Sequence, residues 1–180
     1  TKGIHAAIAK TQPLLIFDVE GCDSRERGDA DSLFERKSSL FALALSEVMI
    51  VNMWESDIGR YNAANLPMLK TVFEVNIQLF QAQVNSKTTL FFLIRDYTTD
   101  NFQALSENII KDMNNIWKEI HLPEQYQNSQ ISDFFDMKFY AIHHMKIQRD
   151  VFNQDVENLK GWFLDPNNEN YLFKQHSGKN

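Results

Sequence analysis

Four short apolar runs lie along this chain, each separated from the next by a stretch whose apolar residues recur at helical intervals. The purest is Thr88 to Ile94, TTLFFLI, which reads as a strand buried in the middle of a sheet. Leu14 to Phe17 (LLIF) is predicted to be a strand buried on both faces. Val48 to Trp54 (VMIVNMW) is predicted as another buried strand, and Asp136 to Ile142 (DMKFYAI) as the fourth. Residues 1–9 read as one further strand, turned back at Lys10 to Pro13, so it pairs antiparallel with the Leu14 strand as a hairpin. Strands alternating with helices specify a three-layer α/β sheet, mostly parallel, with one antiparallel hairpin strand. Right-handed crossovers then place helices on both faces. The length suits one domain, and neither a linker nor a repeat divides it.

The helices follow from spacing. Asp29 to Glu47 has an apolar face from Leu33 to Leu45, with Asp31 or Ser32 as cap and Glu35 as capping-box partner of Ser32. Gly59 to Val84 is a helical stretch broken by Pro67; Leu69, Val72, Phe73, Ile77, Phe80 and Val84 share a face with one polar exception, Asn76. Residues 102–120 turn Leu105, Ile109, Ile110, Met113, Ile116, Trp117 and Ile120 inward. Leu122 to Ser132 reads as a polar loop. Val151 to Phe163 forms a last helix with Val151, Phe152, Val156, Leu159 and Phe163 on one side, and Asp165 to Asn180 reads as irregular. The Met residues of the second run read as core filler.

Chemistry gathers where the apolar runs end. Asp18 closes the first, and Gly21 follows three residues later in a charged loop that runs on to Gly28. A carboxylate there can hold magnesium, and a glycine without Cβ can bring its N–H to a terminal phosphate. On the residues alone, a strand ending in an acidic turn fits equally well. Arg95-Asp96 closes the third run and His143-His144 the fourth. Each pair reads either as a ligand contact or as ordinary loop residues, and no Cys or closely spaced acid in the sequence supports zinc. The formal net charge of -6 argues against a nucleic-acid surface. A single cysteine, Cys22, excludes an internal disulfide. No signal peptide is visible, and no apolar run reaches the roughly 18 residues of a membrane span.

Two long strings carry a resemblance. DVEGCDSRERG, residues 18–28, resembles the third GTPase motif and switch region of the root-hair-defective GTPases; the family's pattern has Thr where this chain has Cys22. DIGRYNAANLPMLKTVFEVN, residues 57–76, is similar to the stretch after that family's second buried strand. These are dynamin-superfamily membrane-fusion enzymes of the endoplasmic reticulum, functionally similar to the atlastins. The resemblance covers the chain to about residue 164. It implies GTP hydrolysis with magnesium, pairing of two GTPase domains as a homodimer, and work on the cytoplasmic face of the endoplasmic reticulum through a membrane anchor outside these residues.

The resemblance also implies roles. TKGI at the start is similar to the end of the family's first switch, so Thr1 matches the Thr that binds magnesium and the last phosphate. Asp18 would join it on the metal, and Gly21 would sense the terminal phosphate, with Thr1 and Gly21 the catalytic pair. Most small GTPases read guanine with Asn-Lys-x-Asp, whereas the fusion GTPases use Arg-Asp, as in FLIRDY here. Asp96 would then accept two hydrogen bonds from guanine, Arg95 would pack near the base, and His143 would lie in the loop covering base and sugar. Glu20 is family-like or simply solvated. Arg25, Glu26 and Arg27 form either the phosphate-sensing switch or an exposed charged loop.

No G-x-x-x-x-G-K-[ST] string occurs in these 180 residues. In the family that phosphate loop and its strand precede the first switch, and the strand is central, between the Leu14 and Val48 strands. The chain therefore reads as the later part of a dynamin-like GTPase domain, inactive alone. Without the central strand, three outcomes are expected: the two halves close up in a changed order, a second chain fills the gap, or the protein aggregates. Two other readings stand beside this one: a catalytically dead remnant acting as a binding module, and an unrelated doubly wound enzyme.

Overall fold

The computed structural model describes residues 3–10, 13–19, 29–60, 69–70, 73–74, 77 and 87–173. In chain order the elements are β1 (Ile4–Ile8), β2 (Leu15–Val19), α1 (Asp29–Leu45), β3 (Val48–Trp54), β4 (Thr88–Tyr97), α2 (Phe102–Lys118), α3 (Ile131–Phe134), β5 (Phe135–His143) and α4 (Arg149–Leu164). Leu69, Lys70, Phe73, Glu74 and Ile77 are also helical.

The strands form two sheets. β3, β4 and β5 run parallel in that order, and β1 pairs with β2 antiparallel as the expected hairpin. β4 sits between its neighbours, and Leu90, Phe91, Phe92 and Ile94 have no exposure at all. That is what an uninterrupted apolar run in a central parallel strand requires. Side chains alternate faces along a strand. Leu90, Phe92 and Ile94 accordingly join a core with Val51 and Met53 of β3, Leu69, Phe73 and Ile77, and Ile109, Met113 and Trp117 of α2. Phe91 points the other way, edge-on to Trp162 and Phe163 of α4. Helices therefore cover both faces, as the alternation predicts. Of the second run's methionines, Met53 is buried in the core and Met49 is partly buried against it.

Two strands expected to be buried are not. β2 pairs only with β1 among the described residues, and Leu15 and Ile16 are 52% and 49% exposed. β3 buries one side only: Val51 and Met53 are inside, while Ile50 and Trp54 are 49% and 42% exposed. Apolar composition alone cannot separate a covered face from one awaiting a partner. β2 and β3 do not pair with each other, so the two halves have not closed into a changed strand order. Phe17 meets Phe41 edge-on, which ties the hairpin to α1.

The helix boundaries differ modestly. α1 begins at Asp29, so Asp31 and Ser32, the expected cap positions, lie inside it. The expected polar loop at Leu122 to Ser132 holds a 3₁₀ turn at Glu124–Tyr126 and the start of α3, which carries a reciprocal capping box between Gln130 and Asp133. Trp117 Nε1 donates to the Ser129 carbonyl at 3.0 Å and pins this segment to α2. On α4, Val151 and Val156 are exposed, not buried; Trp162 and Phe163 make its ring contacts with the sheet. Val72, Asn76, Phe80 and Val84, as well as Pro67, lie outside the described residues. Among the described residues, no helix is long and apolar enough to cross a membrane.

Candidate functional site

Parallel strands deliver their carboxyl ends to one edge, and ligands of open α/β sheets bind beyond that edge. Here the edge carries Trp54 from β3, Arg95 to Tyr97 from β4 and His143 from β5. Trp54 is the register partner of Arg95, and Tyr97 that of His143. Between Ile94 and Tyr97 the β4–β5 register slips. Asp96 lies within that slip at φ +54°, the one non-glycine residue with positive φ among those described. Asp tolerates the left-handed region better than most side chains. Irregularities of this kind re-aim a side chain and recur beside functional sites.

Each member of the Arg95-Asp96 pair meets an aromatic ring from a neighbouring strand end. The Arg95 guanidinium carbon is 4.6 Å from the centre of the Trp54 ring. An exposed cation–π contact contributes about 0.5–1 kcal/mol, enough to bias where a flexible arginine points. On the other side, His144 Nε2 is 3.7 Å from Asp96 Oδ2. The Lys146 N–H donates to His144 Nδ1 at 3.1 Å. Nδ1 is thus the accepting nitrogen, so a neutral His144 carries its proton on Nε2, facing the carboxylate.

His143 is held differently. Its backbone N–H donates to Asp155 Oδ2 at 2.8 Å, and its Nδ1 is 2.7 Å from the same oxygen. An ionised carboxylate only accepts, so Nδ1 carries the proton in this contact. The Tyr97 ring packs edge-on to the imidazole at 5.1 Å. Tyr140 donates to the Asp155 carbonyl at 2.8 Å. Burial, and then the Asp155 charge, push the Tyr140 hydroxyl above its ordinary 10.0. Asp155 of α4 therefore fixes the loop that follows β5.

A cleft of about 620 Å³ opens beside Asp96, and Trp54, Glu55, Thr98, Asn101 and Leu105 are among its lining residues. That volume lies in the range of small-molecule sites. Its wall is braced by Glu55, which accepts from the Thr98 N–H and Oγ1 at 2.9 Å each, from the Thr99 N–H at 3.3 Å, and from Thr99 Oγ1. Burial pushes the Glu55 carboxyl up, but these hydrogen bonds to its charged form outweigh it and hold the group below its ordinary 4.5.

A depressed carboxyl contributes stability above its unfolded-state pKa and loses it as pH falls through the folded value. Glu55→Gln is therefore expected to destabilise the folded protein at neutral pH by about 1 kcal/mol or less, given its solvent screening. The gap between wild type and variant should close as pH drops below the ordinary glutamate range. Denaturant titrations of both proteins from pH 3 to pH 7 measure this. A gap that does not change with pH would show that the carboxylate charge is not what braces the loop.

Of the residues singled out in the sequence, the structure brings Arg95, Asp96, His143 and His144 together. Asp18 is on the β1–β2 pair, exposed, opposite His5 in register. Thr1, Glu20, Gly21, Cys22, Arg25, Glu26 and Arg27 lie outside the described residues. His5 and His121 are exposed, and His121 faces Glu74 at 3.6 Å. The acidic partners that linear spacing did not show for His143 and His144 are Asp155 and Asp96. Asp155 gave no signal, being twelve residues away on a separate helix. Trp54 was within reach: it closes its run as Arg95 closes the next.

The whole chain, residues 1–180, matches the family model described as the Root hair defective 3 GTP-binding protein (RHD3) GTPase domain. It is 64% identical to Protein SEY1 homolog 1 of Trichomonas vaginalis over 99% of this chain and 22% of that protein. It is 48% identical to Protein sey1 of Schizosaccharomyces japonicus over 97% of this chain and 23% of that protein. With Protein SEY1 homolog of Dictyostelium discoideum the identity is 44%, over 97% of this chain and 20% of the relative. The chain thus spans about a fifth of the length of the curated relatives it matches.

Proposed function

The chain belongs to the RHD3 GTPase-domain family, and from that premise we propose that it forms the base-reading part of the GTP site of a magnesium-dependent GTPase. The observation that carries the reading is Asp96, set at positive φ in a register slip at the carboxyl edge of a parallel sheet. Guanine presents a ring N–H and an exocyclic amine side by side. An ionised carboxylate accepts both, and adenine offers no such pair. Arg95 lays its planar guanidinium near the base. His143, held by Asp155, keeps the loop after β5 in place over base and sugar.

Asp18 and Thr1 would hold magnesium. The exposed Asp18 carboxylate suits a hard cation that binds through one or two carboxylates and keeps several waters. Bound magnesium neutralises charge that develops on the phosphates. Gly21 senses the terminal phosphate through its backbone N–H, and with Thr1 completes the catalytic set.

The phosphate loop would come from another part of the full-length protein, which in the relatives is several times longer than this chain. The inner edges of β2 and β3 support this. Each strand pairs on one side only among the described residues, and the faces of both strands carry half-exposed apolar side chains, Leu15, Ile16 and Ile50. Two unpaired apolar edges are what a missing central strand leaves behind. From the family we also infer that the intact protein pairs through two GTPase domains and drives membrane fusion on the cytoplasmic face of the endoplasmic reticulum, anchored by segments outside these residues.

The test is hydrolysis by the full-length protein. With magnesium it should release phosphate from GTP and at least a hundredfold more slowly from ATP, the discrimination expected when a site's paired groups are left unmatched. Equal rates would overturn the guanine assignment. Tight GTP binding without turnover would make the protein a binding module.

A further inference from the structure

We propose that Trp54 is a positioning residue for the nucleotide base, acting through Arg95; this rests on the reading of Arg95 and Asp96 given above. Trp54 ends β3 directly opposite Arg95 in the parallel register, and register partners in adjacent strands project to the same face. The guanidinium lies over the indole at 4.6 Å. Among the described residues Arg95 makes no ion pair with a carboxylate, so the ring is the group that sets its direction.

The core gives no reason for a tryptophan here. Trp54 is 42% exposed and stands apart from the buried cluster, to which the alternate residues Val51 and Met53 of the same strand belong. What an indole supplies at this position is a broad, electron-rich face. An arginine resting on it keeps its second face and its N–H edges free. A purine can then lie against a guanidinium that is already flat and already placed, so less side-chain freedom is lost on binding. The device is indifferent to which purine binds, because the choice of guanine belongs to Asp96. Trp54 therefore sets affinity, and Asp96 sets identity.

A double-mutant cycle on the full-length protein separates this role from a structural one. Calorimetric titration with GDP is run on wild type, Trp54→Leu, Trp54→Phe, Arg95→Ala and the Trp54→Leu/Arg95→Ala pair, with inosine diphosphate as a second ligand. Trp54→Leu should weaken GDP binding about three- to fivefold, the worth of an exposed cation–π contact. Trp54→Phe, which keeps an aromatic face, should stay within about twofold of wild type. The ratio of GDP to inosine diphosphate affinity should not move in either. In the Arg95→Ala background, Trp54→Leu should have no further effect.

The same loss in both backgrounds would assign Trp54 a structural role and overturn the proposal. So would a Trp54→Leu variant with wild-type affinity beside an Arg95→Ala variant that binds poorly. If Arg95→Ala itself binds GDP normally, the base-site reading fails and the proposal falls with it.

Discussion

Asp18→Ala in the full-length protein is expected to lower GTP hydrolysis by about a hundredfold or more, the usual loss when one preorganised stabiliser of the transition state is removed. GDP affinity should fall by less than about fivefold. The asymmetry follows from where magnesium matters. Charge builds on the transferring phosphoryl group and the leaving oxygen as the reaction proceeds, so a metal ligand contributes most in the reactive state. GDP lacks that group and is held by its base and remaining phosphates.

Folding is not expected to confuse the result. Asp18 is exposed on a two-stranded hairpin, and substitutions at such positions usually change stability by no more than about 0.5 kcal/mol. Single-turnover phosphate release and GDP titration on the same preparation give both numbers. Hydrolysis near the wild-type rate would remove Asp18 from the metal.

The fold was legible where a run of residues had one possible environment. TTLFFLI admits only a covered strand, and β4 is covered on both sides. LLIF and VMIVNMW have similar composition, yet β2 exposes Leu15 and Ile16 on opposite faces and β3 is open on one face. Composition reports that a strand prefers burial. It does not report whether the covering element lies within the same 180 residues. The same reasoning explains α4, where the valines expected inside are outside. Trp162 and Phe163 are larger, and they take the contacts with Phe91 and Tyr140 that orient the helix.

The site was legible as a set of strand ends but not as a set of contacts. Parallel topology puts the residues that close consecutive runs on one edge, so the sequence groups Arg95, Asp96 and His143. It does not group their partners with them. Asp155 reaches His143, at the end of β5, from helix α4, and Glu55 reaches Thr98 and Thr99 across 43 and 44 residues. The left-handed backbone of Asp96 depends on a register slip between two strands, a property of the pair and of neither sequence alone.

The most direct test of the central claim, that Asp96 reads guanine, is the affinity of GDP and xanthosine diphosphate for full-length wild type and Asp96→Asn. Asn keeps the size of Asp and shares its tolerance of positive φ, so the register slip should survive the change. What changes is the hydrogen-bond pattern. An acceptor-only carboxylate becomes an amide with one acceptor and one donor group, and a donor then faces the donors of guanine. Hydrogen bonds to a charged group contribute about 1.5–3 kcal/mol each, so two disturbed bonds should weaken GDP by about a hundredfold or more. Xanthine carries a carbonyl where guanine has its amine, and the amide donor suits it. Calorimetric titration should therefore show GDP binding falling in Asp96→Asn while xanthosine diphosphate binding rises. Unchanged GDP affinity, or an equal fall for both ligands, would contradict the account and place the reading of the base elsewhere.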